Sequence, residues 1–158
     1  MANVFNIAEV IDMGIEKEKK RRDFYGLASE KFSQKDLKEL FVRLRDWEAE
    51  HIKKFTDIRN SIEDSEVMEN YQGEFEAYMK ALVDDKLYKQ VSAAAFPKYV
   101  RTSMDAIRYG IEFEKDAILF FRELLSYMTP NHTEKVEELI AEEKKHLVFL
   151  AELKHKYE

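Results

Sequence analysis

From Leu37 to Ile62 the chain sets apolar side chains at alternating steps of four and three: Leu37, Phe41, Leu44, Phe55, Ile58 and Ile62. That is the spacing of one buried face of a helix, and the two places where it fails to be apolar are Glu48 and His51. A carboxylate on a core-facing stripe costs several kcal/mol, on the order of a lost hydrogen bond or more, unless something compensates it. The stripe therefore demands both a helical partner surface and a polar or ionic partner for Glu48 and His51.

Other segments carry similar stripes. With only 4 Gly and 2 Pro in 158 residues, long helices run without interruption, and the length fits one all-helical domain. A first helix is predicted from about Asn6, with Glu9 three residues on as a capping partner, to about Lys31; its inward face reads Ile7, Ile11, Gly14, Glu18, Arg21, Tyr25, Ala28. Ser33 and Asp36 suggest the cap of the second helix, which reaches about Asn60. Residues 61–101 form a long crossover with one or two packed helical pieces, Glu66 to Leu82 having helical composition, Asp84-Asp85 a possible break and Pro97 a punctuation point. So long a connection lets the second and third long helices run parallel. Thr102 with Asp105 caps the third, whose stripe reads Met104, Ile107, Ile111, Glu114, Ile118, Phe121, Leu125, Met128. Asn131 with Glu134 caps the fourth, with Val136, Leu139, Glu143, His146, Leu150, Leu153 and Tyr157 inward.

The two halves repeat. Gly14-Ile15-Glu16-Lys17-Glu18-Lys19 returns as Gly110-Ile111-Glu112-Phe113-Glu114-Lys115 at an offset of 96, and Glu48 and His51 return as Glu143 and His146 at an offset of 95. Each half is a helix pair with a lone inward Glu on its first member and Glu-x-x-His on its second. Packed as a four-helix bundle, the pairs bring Glu18, Glu48, His51, Glu114, Glu143 and His146 to one level. Four negative charges cannot share a dry interior alone, and two divalent cations would balance them. The chain has no cysteine, so such ions are held by oxygen and nitrogen only.

These residues resemble the ferritin-like di-iron carboxylate superfamily and, within it, the rubrerythrin family. The resemblance rests on Glu followed seven residues later by an aromatic, as in Glu18 to Tyr25 and Glu114 to Phe121, then Glu-x-x-His on the next helix, in both halves. The constellation is a known arrangement of carboxylate-bridged metal sites in bundles. It implies a ferritin-like fold in which Glu48 and Glu143 bridge two irons, Glu18 and Glu114 are terminal ligands, and His51 and His146 each cap one metal. It also implies reduction of hydrogen peroxide or dioxygen with electrons from an external donor such as a rubredoxin, in a homodimer. Two departures stand out. Many rubrerythrins carry another ligand Glu where this chain has Ala117, and the usual four-cysteine rubredoxin-like module is absent. Manganese or a mixed metal pair suits the same donors. Two rival readings stay open at this stage: an iron-oxidising storage protein, and a structural helical bundle without metal.

Other signals are weaker. A net charge of −6 with mixed signs argues against nucleic-acid or anionic-membrane partners. No run approaches the roughly 18 apolar residues of a membrane span and no secretory signal is evident, so the expected location is the cytoplasm. Glu16 and Glu112 fall off the stripes and are expected in solvent, as are His132 and His155. Lys17 to Arg22 reads as a solvated basic face, Tyr25 as a core aromatic with a hydrogen bond to a ligand or a redox role as the alternative, and Gly14 and Gly110 as packing positions.

Overall fold

The computed structural model describes residues 4–62, 66–68, 77–78, 81, 88 and 91–158. Its long elements are α1 (Ile7–Lys31), α2 (Lys35–Ser61), α4 (Ser103–Leu125) and α5 (Pro130–Tyr157), with a single turn, α3 (Phe96–Tyr99), ahead of α4. Two three-residue strands, β1 (Val4–Asn6) and β2 (Glu66–Met68), pair antiparallel. The fold is an all-α ferritin-like bundle. The beginning of the expected helical piece at Glu66 is instead β2, drawn into extended pairing by β1; most of that piece, and Asp84-Asp85, lie outside the described residues. Pro97 sits in the first turn of α3, where its missing N–H is harmless.

Helix α1 packs on α2 and α4, and α2 and α4 each pack on α5. Buried side chains gather into two clusters at opposite ends. One joins Ile7, Ile11 and Ile15 to Phe55 and Ile58, to Phe120, Phe121 and Leu124, and to Val136, Leu139 and Ile140. The other joins Phe24, Tyr25 and Ala28 to Leu37, Phe41 and Leu44, Ala106, Ile107 and Phe113, and Leu150 and Leu153. Each of α2 and α4 therefore runs from the second cluster to the first, so they are parallel as the crossover length implies. The polar set lies between the clusters.

The inward faces of α1, α2 and α5 are those expected, and all seven stripe residues of α1 are buried. On α4 the buried face is turned about one residue from the predicted one: Ala106, Gly110, Phe113, Ala117, Phe120 and Leu124 join Ile107, Glu114 and Phe121, while Met104, Ile111, Ile118 and Leu125 are half-buried. Small residues at 106, 110 and 117 let the neighbouring helices approach, so the core follows them and not the larger isoleucines. Gly14 is such a contact point too, since a Cβ there would lie 2.4 Å from Phe55 and 2.7 Å from Phe120.

Four caps were expected from side chains, and Asn6, the first of them, is the last residue of β1 ahead of α1. The Thr102–Asp105 box forms reciprocally. The Ser33 cap does not: Gln34 precedes α2 without a side-chain bond, because Asp36 instead accepts from Tyr157 and pairs with Lys156, tying α2 to the end of α5. Asn131 does not cap α5 either. Pro130 is already helical after Thr129, since its fixed φ suits the first helical position.

Candidate metal centre

Each predicted site residue comes from the middle of a long helix. Glu18 descends from α1, Glu48 and His51 from α2, Glu114 from α4, and Glu143 and His146 from α5. The four carboxylates are fully buried, and His51 and His146 are 1% and 4% exposed. Three-residue spacing puts each Glu-x-x-His pair on one face. Donor atoms of Glu48, His51, Glu143 and His146 all fall within 4.8 Å of one another. Glu18 and Glu114 flank this group on opposite sides: Glu18 Oε2 lies 3.9 Å from His51 Nδ1, and Glu114 Oε2 lies 3.7 Å from His146 Nδ1. All six predicted residues are thus brought together.

Protons and ion pairs hold this charge in the protein alone. His51 Nδ1 is 2.8 Å from Glu143 Oε1, and its Nε2 is 2.6 Å from Glu142 Oε2. His146 Nδ1 is 3.1 Å from Glu143 Oε2 and 3.5 Å from Glu48 Oε1. Burial opposes charge on the rings, yet Glu143 and Glu48 push His51 up to about 11, and Glu114, Glu143 and Glu48 push His146 up to about 12. Burial and then Glu143 work against ionising Glu48, but Glu18 and the two imidazoles hold it down at about 2. Burial raises Glu114 well above the carboxylate range, helped by Glu143 and Glu48; burial also raises Glu18, against the pull of Arg21. Protons on two imidazoles and two carboxyls are the charge equivalent of two divalent cations, so ions could replace them without changing the net charge of the core.

Neither oxygen of Glu48 or of Glu18 receives a hydrogen bond from an N–H or hydroxyl, Glu18 Oε1 having only its ion pair with Arg21, and Glu114 Oε2 is in the same position. A buried carboxylate so placed costs free energy that a metal–oxygen bond would recover. The donor set, four carboxylates and two imidazoles facing one enclosed level, fits a pair of divalent cations.

Four surrounding residues play parts the sequence reading did not give them or gave them only as a second choice. Tyr25, expected first as core filling and alternatively as a hydrogen-bond partner of a ligand residue, is fully buried and donates its hydroxyl to Glu114 Oε1 at 2.6 Å. Lys17 and Arg21, within the run predicted to be solvated, are 2% and 1% exposed. Opposite charges explain their burial: Lys17 pairs with Asp116 at 2.8 Å and Arg21 with Glu18 at 2.5 Å. Arg21 on the inward stripe beside Glu18 was the available signal. Glu142, on the flank of the α5 stripe, fixes the outer nitrogen of His51 and is itself held by Lys54 at 2.8 Å. Glu16 and Glu112 are exposed as expected; His155 is exposed and His132 half-exposed, both outside the centre.

Beside the histidines lies a cleft of about 400 Å³ lined by Trp47, Lys54, Glu142, Lys145 and Phe149. Its aromatic rings form a stack: Phe149 on Trp47 at 5.7 Å, Trp47 on His146 at 4.9 Å, and His146 on His51 at 5.2 Å.

A bundle of this topology defines a ferritin-like protein, and its buried, doubled Glu-x-x-His cluster fits a metal site. The family model of rubrerythrin matches residues 9–154, and the chain belongs to the rubrerythrin family. No curated protein matches the chain. No solved structure matches it either. Among the described residues no helix is long and apolar enough to cross a membrane.

Proposed function

We propose that the chain is a non-haem di-iron oxidoreductase that reduces hydrogen peroxide or dioxygen with electrons from an external donor protein. The observation that carries this reading is the convergence of six buried ligand-type side chains on one level, with the oxygens of Glu48 left without a donor. Family membership supports it. Two iron ions, when bound, would each supply one electron to the oxidant.

The protein's own contribution is placement. Glu48 and Glu143 stand centrally and would be shared between both ions; Glu18 with His51, and Glu114 with His146, would serve one ion each. Tyr25 holds the Glu114 carboxylate, while Glu142 fixes the His51 ring with Nδ1 turned inward. Apolar clusters close both ends of the bundle and exclude bulk water. The cleft beside the histidines is wide enough for a small oxidant, and its ring stack links the surface to both imidazoles. Because the chain has no cysteine it holds no rubredoxin-type iron of its own, which is why the electrons are assigned to a separate carrier.

The test is elemental analysis of protein purified without added metal, followed by anaerobic mixing of the ferrous protein with peroxide or dioxygen. About two irons per chain and catalytic oxidation of a one-electron donor by peroxide support the reading. Less than about one metal per chain would sink it. Accumulation of ferric mineral in a large shell, seen by light scattering, would mark a storage protein instead.

A further inference from the structure

The two halves repeat the ligands but not what stands behind them. Position 21 on α1 is Arg and its repeat on α4, at the same offset of 96, is Ala117; position 25 is Tyr and its repeat is Phe121. Glu114 is therefore held by a neutral hydroxyl, that of Tyr25 at 2.6 Å. Glu18 instead faces a cation, with Arg21 Nη2 at 2.5 Å and Arg21 Nε 3.7 Å from Glu48 Oε2. Arg21 cannot simply swing away. It is 1% exposed, and Nη1 donates to the Tyr88 hydroxyl at 2.9 Å, which donates to Asp116 at 2.7 Å, which in turn pairs with Lys17.

We infer that Arg21 makes the two metal positions unequal, so that the Glu114–His146 position takes a divalent cation first and the Glu18–His51 position binds more weakly. The inference rests on the metal-binding reading above. A fixed guanidinium stands against Glu18 Oε1, an oxygen that an ion there would use, and in a low-dielectric interior its charge repels that ion strongly. At Glu114 the Tyr25 hydroxyl takes up one oxygen without adding positive charge. Arg21 is thus a positioning residue for the order of metal loading.

Repulsion between two ions separates their binding steps even in a symmetric site, so the test asks which half controls the first step. Metal-free protein is titrated with Zn²⁺, which has no redox chemistry, by calorimetry and by the emission of Trp47, the chain's one tryptophan, stacked on His146. Glu114→Gln is expected to weaken the tighter step by about tenfold or more, and Glu18→Gln by no more than about twofold. Arg21→Met should tighten the weaker step by about tenfold or more, whereas Arg21→Lys, which keeps the charge, should not. Equal effects of the two Glu variants, or a first step controlled by Glu18, would overturn the inference while leaving the metal site intact. No Zn²⁺ binding at all would overturn both. Should Arg21→Met fail to fold, the two Glu variants still decide the order.

Discussion

At the scale of single residues, the sharpest question is what a buried polar atom does when its partner is removed. Tyr25→Phe keeps the ring in place but leaves Glu114 Oε1 without its hydroxyl donor. We expect the metal-free variant to lose about 1–3 kcal/mol, read from urea denaturation. Phe121, the repeat-related residue, shows that a ring alone satisfies packing at this level, so the loss reports on the hydroxyl. Glu48→Ala bears on the centre directly. In the wild type, saturating metal should raise Tm, since about 2.7 kcal/mol follows from ligand at a hundred times Kd. In Glu48→Ala that rise should vanish, because the carboxylate shared by both positions is gone; an undiminished rise would contradict its assigned place. Residue types at these positions were legible in the sequence because Glu and His break apolar stripes. The partner of Tyr25 and the burial of Lys17 were not, since nothing in α1 says that Glu114 and Asp116 will face them.

At the scale of elements, helices α1 and α4 meet their neighbours through small side chains. Gly14→Ala would place a methyl within 2.4 Å of the Phe55 ring and 2.7 Å of Phe120. Although alanine favours a helix, the clash should outweigh that gain, with a net loss of about 1–3 kcal/mol visible as a lowered Tm. Such a result would show close helix approach to be what Gly14 provides. The helix ends tell a mixed story. Thr102 and Asp105 cap α4 as their spacing suggests, because both partners lie within the same turn. Asp36 was expected in the equivalent position on α2, but that helix starts one residue later, after Gln34, and Asp36 serves Lys156 and Tyr157 of α5, so a distant helix claimed a side chain that local spacing would have spent on a cap.

For the whole molecule, the central property is a core whose carboxylates and imidazoles hold protons that, on the proposed function, metal would replace. Burial opposes charge on His51 and His146, but the carboxylates around them push them up to about 11 and about 12, above the ordinary histidine value. The stability they lend the metal-free fold is fully present below about pH 6.5 and is lost as pH rises through those values. Glu48, held at about 2, acts in the opposite sense: its contribution is present above about pH 4.5 and is lost as pH falls toward 2. Metal must displace the imidazole protons, so its affinity should rise with pH, by about one log unit per pH unit for each proton released. Calorimetry of Zn²⁺ binding in buffers of different ionisation enthalpy measures that release. Uptake without protons would mean that the imidazoles are not the ligands.

By itself, the sequence determined the helices, their inward faces on α1, α2 and α5, the doubled pattern and the six residues that converge, because 3.6-residue periodicity and residue chemistry are local properties that survive in one dimension. The tertiary structure decided the rest. It turned α4 toward its small residues, set a guanidinium behind one terminal carboxylate and a phenol behind the other, and stacked Trp47 on His146. Each of these depends on which side chain stands opposite, and that is fixed only when four helices share one core.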